Sequence, residues 1–156
     1  MVKLVPMTPA EFEVYLERGI REYAQERVRA GYWTEKEALA RSRKEHKALL
    51  PDGLKSRYHH LYTIRETERE QPVGVLWLRT DLDSSRASGF IFDLEIHEAF
   101  RRQGYGRQAM LELERLVREM GLRQLGLHVF AHNDGARALF EELGYRVASL
   151  NMLKDR

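Results

Sequence analysis

Arg101-Arg102-Gln103-Gly104-Tyr105-Gly106 stands between a strand-like run, residues 89–96, and an amphipathic helical pattern, residues 106–120. Glycines at alternate positions let the backbone turn tightly so that its N–H groups converge. The helix that follows adds unpaired donors and the positive end of its dipole. Such a cradle binds phosphate. Arg101, Arg102 and Arg107 place three cations around it, as a diphosphate requires and a merely structural turn does not. Short glycine patterns recur by chance, so the strand before and the helix after carry the reading.

A chain of 156 residues with 43% hydrophobic content predicts one domain, residues 1–156, with a sizeable core and one site. Its 26 Lys and Arg against 24 Asp and Glu leave a net charge of +2, far from the basic excess of a nucleic-acid binder. There is no cysteine, which removes disulfides, thiol nucleophiles and thiolate metal sites, and suits a reducing compartment. Residues 1–10 lack an apolar signal core and no run approaches the roughly 20 apolar residues of a membrane span. The expectation is a soluble, cytoplasmic protein that engages neither membrane nor nucleic acid.

Outward from the glycine turn, periodicity sets the elements. Val2 to Met7 reads as a strand, and Thr8 with Pro9 and Glu11 as a capped start for a helix striped by Phe12, Leu16, Ile20 and Tyr23 and stopped by Gly31. Thr34 with Glu37 opens a second helix that reaches Pro51. Residues 61–64 and 73–78 read as an antiparallel pair. Residues 90–96 form a strand whose second half alternates acidic and apolar side chains, giving one wet face. A helix striped by Ala109, Met110, Leu113 and Val117 follows, then a strand at 125–130. Another helix ends at Gly144, and a last strand runs from Tyr145 to Leu153. The order is βααβββαβαβ, an α/β (α+β) class.

Two segments resemble the GNAT superfamily of N-acetyltransferases. One is Asp93-Leu94-Glu95-Ile96-His97 followed by Arg101-x-x-Gly104-x-Gly106; the other is Leu127-x-Val129 followed by Asn133-x-x-Ala136-x-x-Leu139-Phe140-Glu141-x-x-Gly144-Tyr145. The resemblance implies a mixed, mostly antiparallel central sheet flanked by helices. It also implies an acetyltransferase that carries acetyl from acetyl coenzyme A (acetyl-CoA) to a primary amine on a small molecule or peptide, in one ternary complex. On these matching positions, the turn from Arg101 through Arg102, Gln103, Gly104, Tyr105 and Gly106 to Arg107 would hold the diphosphate. Leu94 and Ile96 would pair through their backbones with the pantetheine arm, the Leu94 N–H facing the thioester carbonyl. Asn133 would hold the arm or the acceptor by its amide, or serve as a plain helix cap. The family's proton-donating tyrosine is replaced by Phe140, which is expected to pack against the arm. That replacement also supports an alternative reading, a module that binds acyl-CoA without chemistry. Dimerisation is left open.

An acceptor ammonium must lose a proton before it attacks. Glu95 and Asp93 share one strand face, and Glu95 is the favoured base, the alternative being that it pairs with an arginine or solvent on an exposed strand face; a carboxylate half-buried beside a pocket has its pKa raised toward the useful range. His128 on the neighbouring strand could relay the proton. His60 is assigned to the acceptor pocket. The histidines lack ligand spacing, so no metal is assigned.

Overall fold

The computed structural model describes residues 1–81, 85–129 and 133–156. The chain divides into two compact units, residues 1–126 and residues 127–156. In the first, β1 (Val2–Pro6) leads to α1 (Pro9–Arg29), whose start is set by a complete capping box. Thr8 Oγ1 accepts from the Glu11 N–H at 3.2 Å, and Glu11 Oε1 accepts from the Thr8 N–H at 3.0 Å. Gly31, at φ +82°, ends it in the left-handed region. α2 (Glu35–Leu49) follows, its Glu37 carboxylate accepting from the Thr34 N–H at 3.2 Å. β2 (His59–Glu66), β3 (Gln71–Asp81) and β4 (Ser88–Ile96) come next, then α3 (Tyr105–Glu119) and β5 (Gln124–Leu127).

The five strands lie in the order β1-β2-β3-β4-β5, and the first three pairings are antiparallel. The Arg123 N–H donates to Ala87 O at 2.8 Å, while Gly126 lies against Phe90. Contacts that advance together along both chains make β5 run parallel to β4. The mixed, mostly antiparallel sheet expected from the sequence is the observed one.

Strand alternation divides the core. Leu61, Val75 and Trp77 face α1 and pack with Met7, Phe12, Tyr15 and Leu50. Ile64, Leu76 and Leu78 point the other way and are fully buried, on the side where α3, packed on β1 and β4, buries Met110 and Leu113. Among the described residues no helix is long and apolar enough to cross a membrane.

The second unit contains α4 (Asp134–Glu142), capped by Asn133 and followed by Gly144 at φ +98°. The strand expected over Tyr145–Leu153 is not formed: residues 145–156 carry no regular secondary structure, and Val147, Leu150, Met152 and Leu153 are exposed. Apolar alternation marks a strand only where a neighbour takes up its backbone hydrogen bonds.

Candidate functional site

The glycine turn is built differently from its sequence reading. Left-handed backbone occurs at Arg102 (φ +64°) and Gly104 (φ +80°), whereas Gly106 lies inside α3. Gly104 is the helix N-cap and, having no side chain, supplies no side-chain cap to the first turn of α3. A Cβ on Gly104 would meet nothing nearer than Gln108 Nε2 at 4.0 Å, so the space over the turn is open. Beneath it, Gln108 Oε1 is buried without a hydrogen-bond partner among the described residues. Arg102, Gln103 and Arg107 are exposed and Tyr105 is partly buried. Arg101 turns back toward the sheet, its Nε–H donating to Ile96 O at 2.9 Å.

That last contact shows where β4 presents its backbone. The His97 N–H donates inward to Val73 O at 2.8 Å. By alternation, the N–H and C=O groups of Leu94 and Ile96 point away from β3, toward the outer edge. β5 has four residues, begins beside Ala87 and is too short to accompany the nine-residue β4 to its end. The sheet edge at Leu94 and Ile96 thus extends past β5.

A bulge decides what lies on the face above. Trp77 pairs with Asp93 and Leu78 with Ile91, leaving Phe92 as the extra residue of β4. Without it, Asp93 and Glu95 would share a face with the buried Ile91, on the α3 side. With it, Phe92 and Asp93 both face α1, Phe92 lying 5.1 Å from the Trp77 ring and 5.7 Å from that of His59.

The wet face is therefore covered by α1. The Tyr15 hydroxyl donates to Asp93 Oδ2 at 2.6 Å. Burial pushes the Asp93 carboxyl above the usual aspartate range; the Tyr15 hydrogen bond opposes that shift and nearby Glu95 adds to it. Burial and the Asp93 charge push the Tyr15 hydroxyl up as well. Glu95, about one-third exposed, forms an ion pair with Arg18 at 3.7 Å. A cleft of about 340 Å³ opens beside this group, with Tyr15, Trp77, Phe92 and Asp93 at one end and residues of α1 and α2 at the other.

Tyr15, Arg18, Trp77 and Gly74 were not singled out in the sequence. Tyr15 lies outside the stripe Phe12, Leu16, Ile20 and Tyr23 by which that helix is read. Gly74 carried a signal: a glycine inside a β-branched run marks a close backbone approach. Any Cβ there would stand 2.3 Å from the Glu95 carbonyl oxygen. His60, expected in an acceptor pocket, does not join the face that carries Asp93 and Trp77. It alternates to the α3 side, where it stacks on Tyr62 and shares a hydrogen bond with Thr80 at 3.1 Å. His59 takes the α1 side instead, accepting from Trp77 Nε1–H at 2.9 Å.

The remaining expected site residues belong to the second unit. His128 lies one residue past β5 and is exposed. Asn133 Oδ1 accepts from the Ala136 N–H at 3.3 Å, so its helix-cap role is realised. Phe140 packs edge-on against Tyr145, ring centres 5.9 Å apart.

The sequence model of the acetyltransferase (GNAT) family matches residues 20–145. YycN of Bacillus subtilis (strain 168), named an uncharacterized N-acetyltransferase, is 38% identical over 153 residues, covering 98% of this chain and 97% of its own. Its crystal structure matches with a TM-score of 0.88 at 37% identity, over 100% of this chain and 99% of that one. YdgE of the same organism is 34% identical over 152 residues, 97% of this chain and 96% of its own. The structure of AAC(6')-Iy with the bisubstrate analogue CoA-S-monomethyl-acetylneamine shares the fold, with a TM-score of 0.62 at 14% identity over 100% and 98% of the two chains.

Proposed function

Because the chain belongs to the acetyltransferase (GNAT) family and is an acyltransferase, we propose that it moves an acetyl group from acetyl coenzyme A directly to a primary amine, residues 1–156 acting as one domain. The observation that carries this reading is the turn that opens α3, where Gly104 at φ +80° is an N-cap without a side chain, next to a β4 edge that outruns its neighbour.

The residues present fit the coenzyme. Backbone N–H groups from Arg102 to Arg107 supply donors for a diphosphate, and the guanidinium groups of Arg101, Arg102 and Arg107 supply charge. Leu94 and Ile96 offer strand-like pairing to the amide-bearing arm, with Asn133 and Phe140 assigned to the same arm. When bound, the coenzyme supplies an activated acetyl thioester.

The protein's own work is positioning and proton removal. The Leu94 N–H, aimed at the edge, is the donor assigned to charge that develops on the acyl oxygen, an effect worth about 3 kcal/mol in comparable sites. Of the two carboxylates, Asp93 is occupied by the Tyr15 hydroxyl. Glu95 is the more open and is oriented by Arg18; it takes the ammonium proton, with His128 assigned to relay it. The chain has no cysteine, and no covalent acyl relay is invoked. The acyl group passes straight to the amine.

Thiol release from acetyl-CoA should depend on an added primary amine. Glu95→Gln should lower kcat by about 10²-fold while leaving coenzyme affinity unchanged. A loss below about threefold across the pH profile would move the role to Asp93, His128 or water. No amine-dependent release across a broad amine panel, with the coenzyme bound, would favour the non-catalytic module.

A further inference from the structure

The cleft of about 340 Å³ runs from the sheet into the space between α1 and α2, and its lining is chemically one-sided. Asp93 stands at the sheet end, and Glu22, Glu26 and Glu45 stand on the two helices. Among the described residues no lysine or arginine lines it and His46 is its one basic side chain, in a chain where basic residues outnumber acidic ones by 26 to 24. The same lining includes the rings of Tyr15, Trp77 and Phe92, apolar surfaces whose faces attract cations, and that of Tyr23, over which the Arg27 guanidinium already stands at 5.2 Å. Glu22 and Glu26 are four residues apart on one face of α1, a like-charge arrangement that disfavours the helix by a few tenths of a kcal/mol. Arg18 approaches Glu22 at 3.9 Å, and Arg27 is engaged with the Tyr23 hydroxyl.

The spacing is set by α1. Tyr15, hydrogen-bonded to Asp93, marks the sheet end. At 1.5 Å per residue, Glu22 lies roughly 10 Å along the helix from Tyr15 and Glu26 roughly 16 Å. The space between is wide enough for an aliphatic chain, with an anionic group at each end.

Resting on the amine-acetylation reading above, we propose that this cleft holds the body and the second ammonium of the acceptor, so that the preferred substrate is a linear aliphatic diamine or polyamine. The near amine sits by Asp93 and Glu95. The methylene chain lies along the rings, and the distal ammonium meets Glu22, Glu26 and Glu45. The helix acids are exposed, so each contact with the distal charge is worth little and the selectivity is cumulative.

The test compares 1,8-diaminooctane with octylamine, which has the same carbon chain and one charge fewer. Calorimetric titration of each into the protein without donor reads binding independently of catalysis. The diamine should bind about tenfold more tightly, the margin of several weak ion pairs, and added salt should erode that margin. Glu26→Gln combined with Glu45→Gln should remove most of the margin and leave octylamine unchanged; Glu22→Gln alone, a milder change, should remove part of it. Melting curves establish that the variants fold. Equal affinity for the two amines, or variants that do not alter the margin, would overturn the proposal even if the enzyme acetylates amines rapidly. A charge-dependent margin without acetyl transfer to either amine would retain the cleft as a polyamine site and reject the transferase reading.

Discussion

Asp93 and Glu95 lie two residues apart on one face of β4, yet their surroundings separate them. Asp93 is pressed under α1 and holds the Tyr15 hydroxyl at 2.6 Å, while Glu95 stays partly open beside Arg18. Burial raises the Asp93 carboxyl above its ordinary value, so the folded state binds that proton more tightly than the unfolded chain does. Its contribution to stability is fully present below the unfolded value of 3.8 and is lost as pH rises through the folded value. Asp93→Asn is neutral throughout and can still accept from Tyr15. The variant's melting temperature should therefore gain on the native protein as pH is raised from about 3 to about 7. A gain that grows on acidification would mean that the Tyr15 hydrogen bond outweighs burial. The sequence disclosed the paired acids because alternation is local, but not which of them is covered. That depends on Tyr15, 78 residues away.

At the scale of the element, β4 and the turn after it position the candidate site. The strand was legible in the alternation of residues 90–96, and both N-terminal helices in their capping residues. The bulge at Phe92 was not, because an extra residue in a pairing leaves no mark on the bulged strand's own pattern and appears only in register with β3. The turn was legible in location and less so in construction: Arg102 takes a left-handed conformation that a glycine would be expected to supply, and Gly106 is helical. Gly74 permits the close pairing of β3 with the end of β4. Gly74→Ala would press a methyl carbon to within 2.3 Å of the Glu95 carbonyl oxygen. Backbone must then move, at a cost of about 1–3 kcal/mol. The expected result is a lowered melting temperature together with weakened coenzyme binding, since the displaced segment carries Leu94 and Ile96. Unchanged binding in a destabilised variant would detach the β4 edge from the coenzyme site.

At the scale of the molecule, the family was legible because its two motifs are short and carry their chemistry in backbone geometry and helix ends. The last strand was misread because residues 145–153 have a strand's composition without a described partner strand. The cleft between α1 and α2 was invisible in the sequence, since its acids come from α1, α2 and β4 and meet only in the fold. The central claim remains that the Gly104 turn binds the diphosphate of acetyl-CoA. Gly104→Val puts a β-branched residue at φ +80°, straining the turn by roughly 1–2 kcal/mol and covering the converging N–H groups. A domain of ordinary stability, about 5–15 kcal/mol, survives that strain. Calorimetric titration of acetyl-CoA into both proteins, with circular dichroism to establish folding, should show binding to the native chain and none to the folded variant. Equal affinity in the two would contradict the account and remove the turn from the coenzyme site.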